Sequence, residues 1–383
     1  MDSIIEAALG RSNANANENS SLSGAIKAKP QNSKTKDIDA QLEEFLLSRR
    51  AAIKVIGVGG GGNNAIIRMS EVGIKGVEFI AVNTDAHDLL CTNSDVKLLI
   101  GRDLTAGLGA GADPNVGREA AKEQEHEIRK ALEGADMVFI TCGLGGGTGT
   151  GAAPVIAETA KKMKALTVGI VTLPFTVEGN VRMANALEGL ERLQENVDTL
   201  IVIPNDKLLE VAPNLPLHTA FKVADEILTN AVKGIAELVT KPGLIHLDFN
   251  DIRAVMKEGG TALIGVGESD SENRAVESVE KAIENPLLDV DITGAKGALI
   301  NVIGGPNMSL QEANKVVEVI TSRLAPDAKT IWGASISNDL GNTIRTMIII
   351  TGVESPQIFG KQKSIKQERR KIIENELGIE FIR

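Results

Sequence analysis

Residues 143–154 read GLGGGTGTGAAP. Six of these twelve residues are glycine, and only Thr148 and Thr150 carry a hydroxyl. An apolar run, DMVFITC at 136–142, precedes the stretch, and a helix is predicted from about Gly151. A loop stripped of side chains between a strand and a helix lets an anion approach backbone N–H groups and the positive end of the helix dipole. The reading is that a phosphate chain lies there. No GxxxxGK[ST] occurs and no lysine stands in the loop, so this is not a P-loop. Neutralisation then falls to dipoles and a bound Mg²⁺.

A second loop of the same kind is GVGGGGNNA, 57–65. Gly57, Gly59 and Gly62 fit G-x-G-x-x-G between the strand AIKVIGV and a helix predicted from about Asn63. Alone the pattern is weak, and it also describes a plain strand-to-helix turn. One alternative it admits is an NAD(P)-dependent oxidoreductase. That reading needs an acidic residue about twenty positions on, ending the second strand. Glu78 opens that strand and Asp85 falls late, and GGGTGTG is left unexplained.

Around these loops the pattern is regular. Strands are predicted at 77–82, 96–100, 136–142, LTVGIVTLP and TLIVIP, and helices near 117–132, 179–195 and 218–240. Apolar runs alternating with helices imply a mainly parallel, Rossmann-like α/β sheet. A smaller α/β domain begins near Gly243, with helices at 249–258, 272–284 and 309–322 between its strands. The expected divisions are a disordered extension over 1–37 with a short helical segment, a nucleotide domain over 38–217 with a lead-in helix, a central helix over 218–242, a second domain over 243–353 and a tail over 354–383.

Composition excludes several classes. The chain has 383 residues, a formal charge of −10, eight Phe, one Trp and no Tyr. A polyanion such as DNA is a poor partner for that charge, and stacking platforms for single strands are scarce. Cys91 and Cys142 match no metal spacing and read as reduced thiols. No signal peptide and no span long enough for a bilayer are visible, so a cytoplasmic protein without direct membrane insertion is expected.

Together, GVGGGGNNA, AVNTD (81–85), TAGLGAGADP (105–114), GGGTGTG (145–151), PFTVEGNVR (174–182), IPND (203–206) and FKVADEIL (221–228) resemble the tubulin superfamily, and within it the FtsZ family of prokaryotic cell-division GTPases. The resemblance covers about residues 50–353. GVGESDSE and IWGAS in the second half look more archaeal than bacterial. It implies the tubulin/FtsZ fold, binding of GTP and GDP with Mg²⁺, and head-to-tail self-assembly at the mid-cell division site. It also implies roles by position. Gly60, Gly61, Gly62, Asn63, Asn64, Gly147, Thr148 and Gly149 would wrap the phosphates, and Ala110 and Gly111 would sense the terminal one. Asn83 and Asp85 would lie on the Mg²⁺ and phosphate side. Glu178 and Arg182 would hold ribose and phosphate. Phe221 would stack on the base, and Asp225 would accept from guanine N1–H and the 2-amino group. Without the resemblance Asp225 reads as a solvated helix charge.

The resemblance places two catalytic carboxylates, Asp248 and Asp251, in LIHLDFND (244–251), acting on GTP bound to the next subunit. By pattern alone they are helix-start acids favoured by the dipole. The family commonly has Asn where this chain has His246, a residue that only donates once protonated. Two readings stay open there: pH-dependent hydrolysis, and a simple substitute hydrogen bond. A scaffold that binds nucleotide with little hydrolysis also stays open. The tail, ending IIENELGIEFIR, has apolar residues at helical spacing and reads as a docking segment for a membrane-tethering adaptor.

Overall fold

In the computed structural model of the chain, residues 51–207, 217–240, 244–245, 247–257, 259–284 and 295–353 are described, without the side chains of 217–220. The extension and lead-in helix expected over 1–50, His246, and the tail from 354 lie outside them.

The chain enters its sheet at β1 (Ile53–Val58) and runs through α1 (Gly59–Val72), β2 (Val77–Asn83), α2 (Ala86–Cys91), β3 (Val96–Leu99) and a short α3 (Arg102–Thr105). Then follow α4 (Pro114–Glu123), α5 (Glu125–Leu132), β4 (Met137–Gly143), α6 (Thr148–Lys162), β5 (Leu166–Leu173), α7 (Asn180–Asn196) and β6 (Thr199–Pro204). The long α8 (Leu217–Thr240) leads to α9 (Phe249–Met256), β7 (Gly260–Ser269), α10 (Arg274–Ile283), β8 (Gly297–Gly304), α11 (Leu310–Thr321), β9 (Lys329–Ile336) and β10 (Ile344–Thr351).

Among the described residues the strands form one ten-stranded sheet, ordered β3-β2-β1-β4-β5-β6-β7-β10-β8-β9. From β3 to β7 every pairing is parallel. β10 lies antiparallel between β7 and β8. The two halves join through three residue pairs, Thr199 with Gly260, Leu200 with Thr261 and Ile201 with Ala262. The order reverses between β1 and β4, since the chain builds outward to β3 and returns to pair β4 beside β1. Ligands of open α/β sheets bind outside the carboxyl ends of strands at such a switch point. Both glycine loops leave from it.

Period-two alternation sorts the buried side chains. Val55, Phe79, Phe139, Val168 and Ile201 face α1 and α8, while Ile56, Ile80, Ile140, Val171 and Val202 face the helices of the opposite layer. Each fully buried side chain of this kind contributes about 1.5–3 kcal/mol. Met347 and Ile349 of β10 share a core with Val232, Ile235 and Ala236 of α8, so that one helix covers both halves of the sheet. Gly234 makes room for this: a Cβ there would fall on Met347 Sδ.

Three predicted boundaries differ. α1 begins at Gly59 rather than near Asn63, and α6 at Thr148 rather than near Gly151. Glycine has low helix propensity, but a first turn needs no intrahelical N–H partner, so it tolerates glycine where the interior does not. The helix predicted over 117–132 divides at Gln124, with φ −104° and ψ 29°. The Gln124 side chain accepts from Gly101 N–H. That tertiary tie leaves no mark in the local periodicity.

Candidate functional site

The two glycine loops pack on each other. A Cβ at Gly59 would stand 2.9 Å from Gly149 N, and one at Gly61 3.2 Å from Gly143 N. A Cβ at Gly149 would meet Gly143 O at 2.9 Å and Val58 O at 3.2 Å. Those glycines serve close backbone contact. Gly60, Gly109, Gly111 and Gly146 are different, because a Cβ on any of them would meet nothing within 4 Å. Gly60 lies in the first turn of α1, Gly146 just before α6, and Gly109 and Gly111 in the loop before α4, each with open space on its Cβ side. First-turn N–H groups have no intrahelical acceptor, so the first turns of α1 and α6 offer free donors.

The loop over 105–113 adjoins the glycine box. Ala106, Gly107, Gly109, Gly111 and Ala112 all have positive φ. Leu108 pairs with Asp85 in an isolated antiparallel bridge, and Gly109 N–H donates to Thr84 O at 3.2 Å. Ala110 is buried against Gly147. Thr84 Oγ1 lies 2.7 Å from Thr148 Oγ1, linking the end of β2 to the glycine box. Thr150 Oγ1 accepts from Gly145 N–H at 2.8 Å and so braces the box from within. Asn64, Gly60 and Gly61 are exposed. Asn63 is buried, with Nδ2 on Asp88 Oδ2 and Oδ1 unpartnered. Asp85 Oδ1 accepts from His87 N–H and Asp88 N–H, capping α2.

Phe175 and Phe221 meet edge to face, centroids 5.3 Å apart and planes at 80°. Phe221 stays 40% exposed. One turn further along α8, burial pushes the Asp225 carboxyl up to about 6, against the partial opposition of Arg68. Arg68 itself is engaged by Glu226 at 2.9 Å and Glu71 at 3.1 Å. Glu178 Oε1 accepts from Phe175 N–H at 2.8 Å, and Glu178 Oε2 pairs with Arg182 at 3.1 Å.

Asp248 and Asp251 stand elsewhere. Their helix, α9, is bound to the amino ends of the parallel strands: Thr199 Oγ1, at the start of β6, donates to Met256 O. Arg253 Nη2 donates to Lys164 O, just before β5, at 3.0 Å. The glycine loops leave the carboxyl ends. A strand of six or seven residues separates the two edges by about 20 Å, well beyond the reach of a side chain.

The family model for the Tubulin/FtsZ family GTPase domain matches residues 52–213, and that for the FtsZ family C-terminal domain matches 260–354. The cell division protein FtsZ 1 of Thermococcus kodakarensis is 62% identical over 340 residues, 88% of this chain and 91% of that protein. FtsZ 1 of Archaeoglobus fulgidus is 55% identical over 383 residues, the full length of both. Among solved structures, an FtsZ dimer from M. jannaschii is 59% identical, with a TM-score of 0.79 over 83% of this chain and 92% of that one. The chain belongs to the tubulin/FtsZ family.

It is accordingly a GTPase. Within this FtsZ-family fold, Gly61, Gly147 and Gly149 pack the loops together, Gly60 and Gly111 leave open space on their Cβ side, and a chain of contacts runs from Gly145 through Arg182, Glu178 and Phe175 to Phe221. Asn63 and Asn83 are buried and tied to Asp88. Asp248 and Asp251 are not brought to the glycine loops. Two residues escaped the sequence reading. Asn205, in the IPND motif, is 5% exposed with Oδ1 unpartnered. Asp206 accepts from Thr176 N–H at 2.9 Å and Thr176 Oγ1 at 2.6 Å, fixing the turn that carries Glu178. The available signal was an Asn-Asp pair directly after an apolar strand. No helix among the described residues is long and apolar enough to cross a membrane.

Proposed function

We propose that this GTPase assembles head to tail and hydrolyses each bound GTP at the contact between two copies. One observation carries the reading. The helix that carries Asp248 and Asp251 is tied to the amino ends of the strands whose carboxyl ends carry the glycine loops, which supports a reading in which one copy's carboxylates meet GTP on a second copy. Such a contact is heterologous, and repeating it gives an open filament. The FtsZ relative from M. jannaschii, described as a dimer, supports self-association.

In this reading the first turns of α1 and α6 and the hydroxyl of Thr148 hold the phosphates. The loop over 105–113 meets the terminal phosphate at Ala110 and Gly111. Arg182 and Glu178 hold ribose and phosphate, and Phe221 stacks on the base. Asp225 accepts from guanine N1–H and the 2-amino group. Adenine lacks that donor pair, and an unpaired buried carboxylate costs several kcal/mol, about 2–5. Asp248 and Asp251 of the adjacent copy orient the attacking water toward the γ-phosphate. No group of three or more His, Cys, Asp or Glu among the described residues could hold a metal alone. A pocket offering Asp85 and phosphate oxygens fits Mg²⁺, which takes one or two carboxylates and completes its shell with phosphate and water. When bound, Mg²⁺ neutralises charge on the phosphate oxygens.

The sequence divisions at 217, 242 and 353 are retained as the boundaries of nucleotide domain, central helix and second domain. We assign the tail to a membrane-tethering adaptor and the filament to the mid-cell division site. Truncation after about residue 355 should leave GTP turnover intact and abolish adaptor capture. The central test is concentration dependence. Phosphate release per molecule should rise steeply with protein concentration and parallel sedimentation with GTP but not GDP. Turnover independent of concentration would overturn the reading.

A further inference from the structure

Asp88 is the acceptor that two buried asparagines share. Asn63 Nδ2 donates to Asp88 Oδ2 at 2.9 Å, and Asn83 Nδ2 donates to the same oxygen at 2.6 Å. Asn63 is 0% exposed and Asn83 3%. Asn63 directly follows the first turn of α1, Asn83 ends β2, and Asp88 lies in the first turn of α2. Asp88 N–H is itself held by Asp85 Oδ1 at 3.1 Å. The carboxylate therefore ties three elements together.

An amide has one donor end and one acceptor end. With both donor ends pinned on a single carboxylate oxygen, both acceptor ends are fixed. Asn83 Oδ1 accepts from Thr84 N–H at 2.8 Å and Asp85 N–H at 3.3 Å. That turn sets Thr84 Oγ1 at 2.7 Å from Thr148 Oγ1 in the glycine box. Asn63 Oδ1 is left as a buried acceptor without a protein partner, under the donor-rich turn of α1.

We infer that Asp88 is a positioning residue of the phosphate pocket, acting through Asn63, Asn83 and Thr84 on the seating of Thr148. The inference rests on the GTP reading of the site. An acid in the first turn of a helix also complements the helix dipole. That role alone would leave nucleotide affinity unchanged on substitution. A positioning role predicts a loss that a neutral acceptor repairs, because one amide oxygen can accept two N–H groups.

The test uses the full chain with GTP and GDP at fixed Mg²⁺, reading Kd, KM and kcat. D88A should raise Kd and KM about tenfold or more, with kcat at saturation changed less than about threefold. D88N should stay within about threefold of wild type. Should D88A fail to fold, Asn83→Asp breaks the clamp from the other side. It should weaken GTP binding similarly and be rescued by D88N in the double variant. In D88A/N83A the losses should overlap rather than multiply. Unchanged affinity in D88A, a D88N as weak as D88A, multiplying losses, or no rescue in the swapped pair would each overturn the inference. Wild type that binds no GTP would instead overturn the nucleotide reading itself.

Discussion

Asp248 and Asp251 cap one helix reciprocally. Asp248 N–H donates to Asp251 Oδ2 at 3.1 Å, and Asp251 N–H donates to Asp248 Oδ1 at 2.9 Å. Each carboxylate thus commits one oxygen to α9 and keeps another toward solvent. In the proposed function, structural and catalytic roles coexist on the same side chains. They separate on substitution. D248N retains an acceptor for the cap, whereas D248A removes it at about 1 kcal/mol. Both variants should lose GTP turnover by about a hundredfold or more, while GTP affinity and sedimentation persist. Phosphate release and nucleotide binding, measured side by side, check this. Loss of nucleotide binding in D248N would place Asp248 in its own copy's pocket.

Guanine recognition should depend on pH. Burial raises the Asp225 carboxyl to about 6, and in the proposed site only the ionised form offers both oxygens to the two guanine donors. Binding below that value must first release a proton. GTP Kd should therefore rise about tenfold per unit as pH falls below 6, and stay flat above it. D225N should bind weakly with that dependence gone. The sign is opposite for stability of the nucleotide-free chain. A raised folded value means that stability from this group is lost as pH rises from about 4 to 6. Isothermal titration at pH 5, 6 and 7 separates these outcomes.

Glycines of two kinds should respond differently to alanine. G60A and G146A place a methyl in open space, so the fold should melt as wild type while GTP affinity falls. In G151A the added methyl would fall on Pro114 O, and in G117A on Gly147 O. Those variants should unfold at lower denaturant, by about 1–3 kcal/mol from overpacking. Denaturation curves and GTP binding, read together, distinguish the two classes.

The second half of the chain carries its own rivet. Arg274 is 11% exposed in its side chain and pairs with Glu312, holding Asn307 Oδ1 and the backbone of Asn342 as well. The guanidinium, with further help from Ser309, lowers the Glu312 carboxyl to about 2. Because the folded value is depressed, this contribution is full above about pH 4.5 and lost as pH falls toward 2. R274A should lower stability by about 2–4 kcal/mol at neutral pH, leaving unpaired groups in a crowded place. GTP affinity should not change, since α10 and α11 lie away from the glycine loops. Chemical denaturation at pH 7 and pH 3 checks both the size and its shrinkage.

Local sequence determined much of this protein. Apolar runs such as DMVFITC and LTVGIVTLP mark strands buried on both faces, because within the strands only threonines, which are themselves buried, interrupt them. The glycine loops announced an anion site, because only a bare backbone lets phosphate near the donors of a first helical turn. What tertiary structure alone decided lies at longer range. Gln124 breaks a helix to reach Gly101, Asp88 gathers two asparagines from separate elements, and Asn205 keeps a buried oxygen without a partner. The three pairs between β6 and β7 make one sheet of two domains. The placement of Asp248 opposite the glycine loops is also a property of the packed sheet. Periodicity records which way a side chain faces over a few residues; distance across a sheet depends on the order in which strands meet, and that order is written in no single segment.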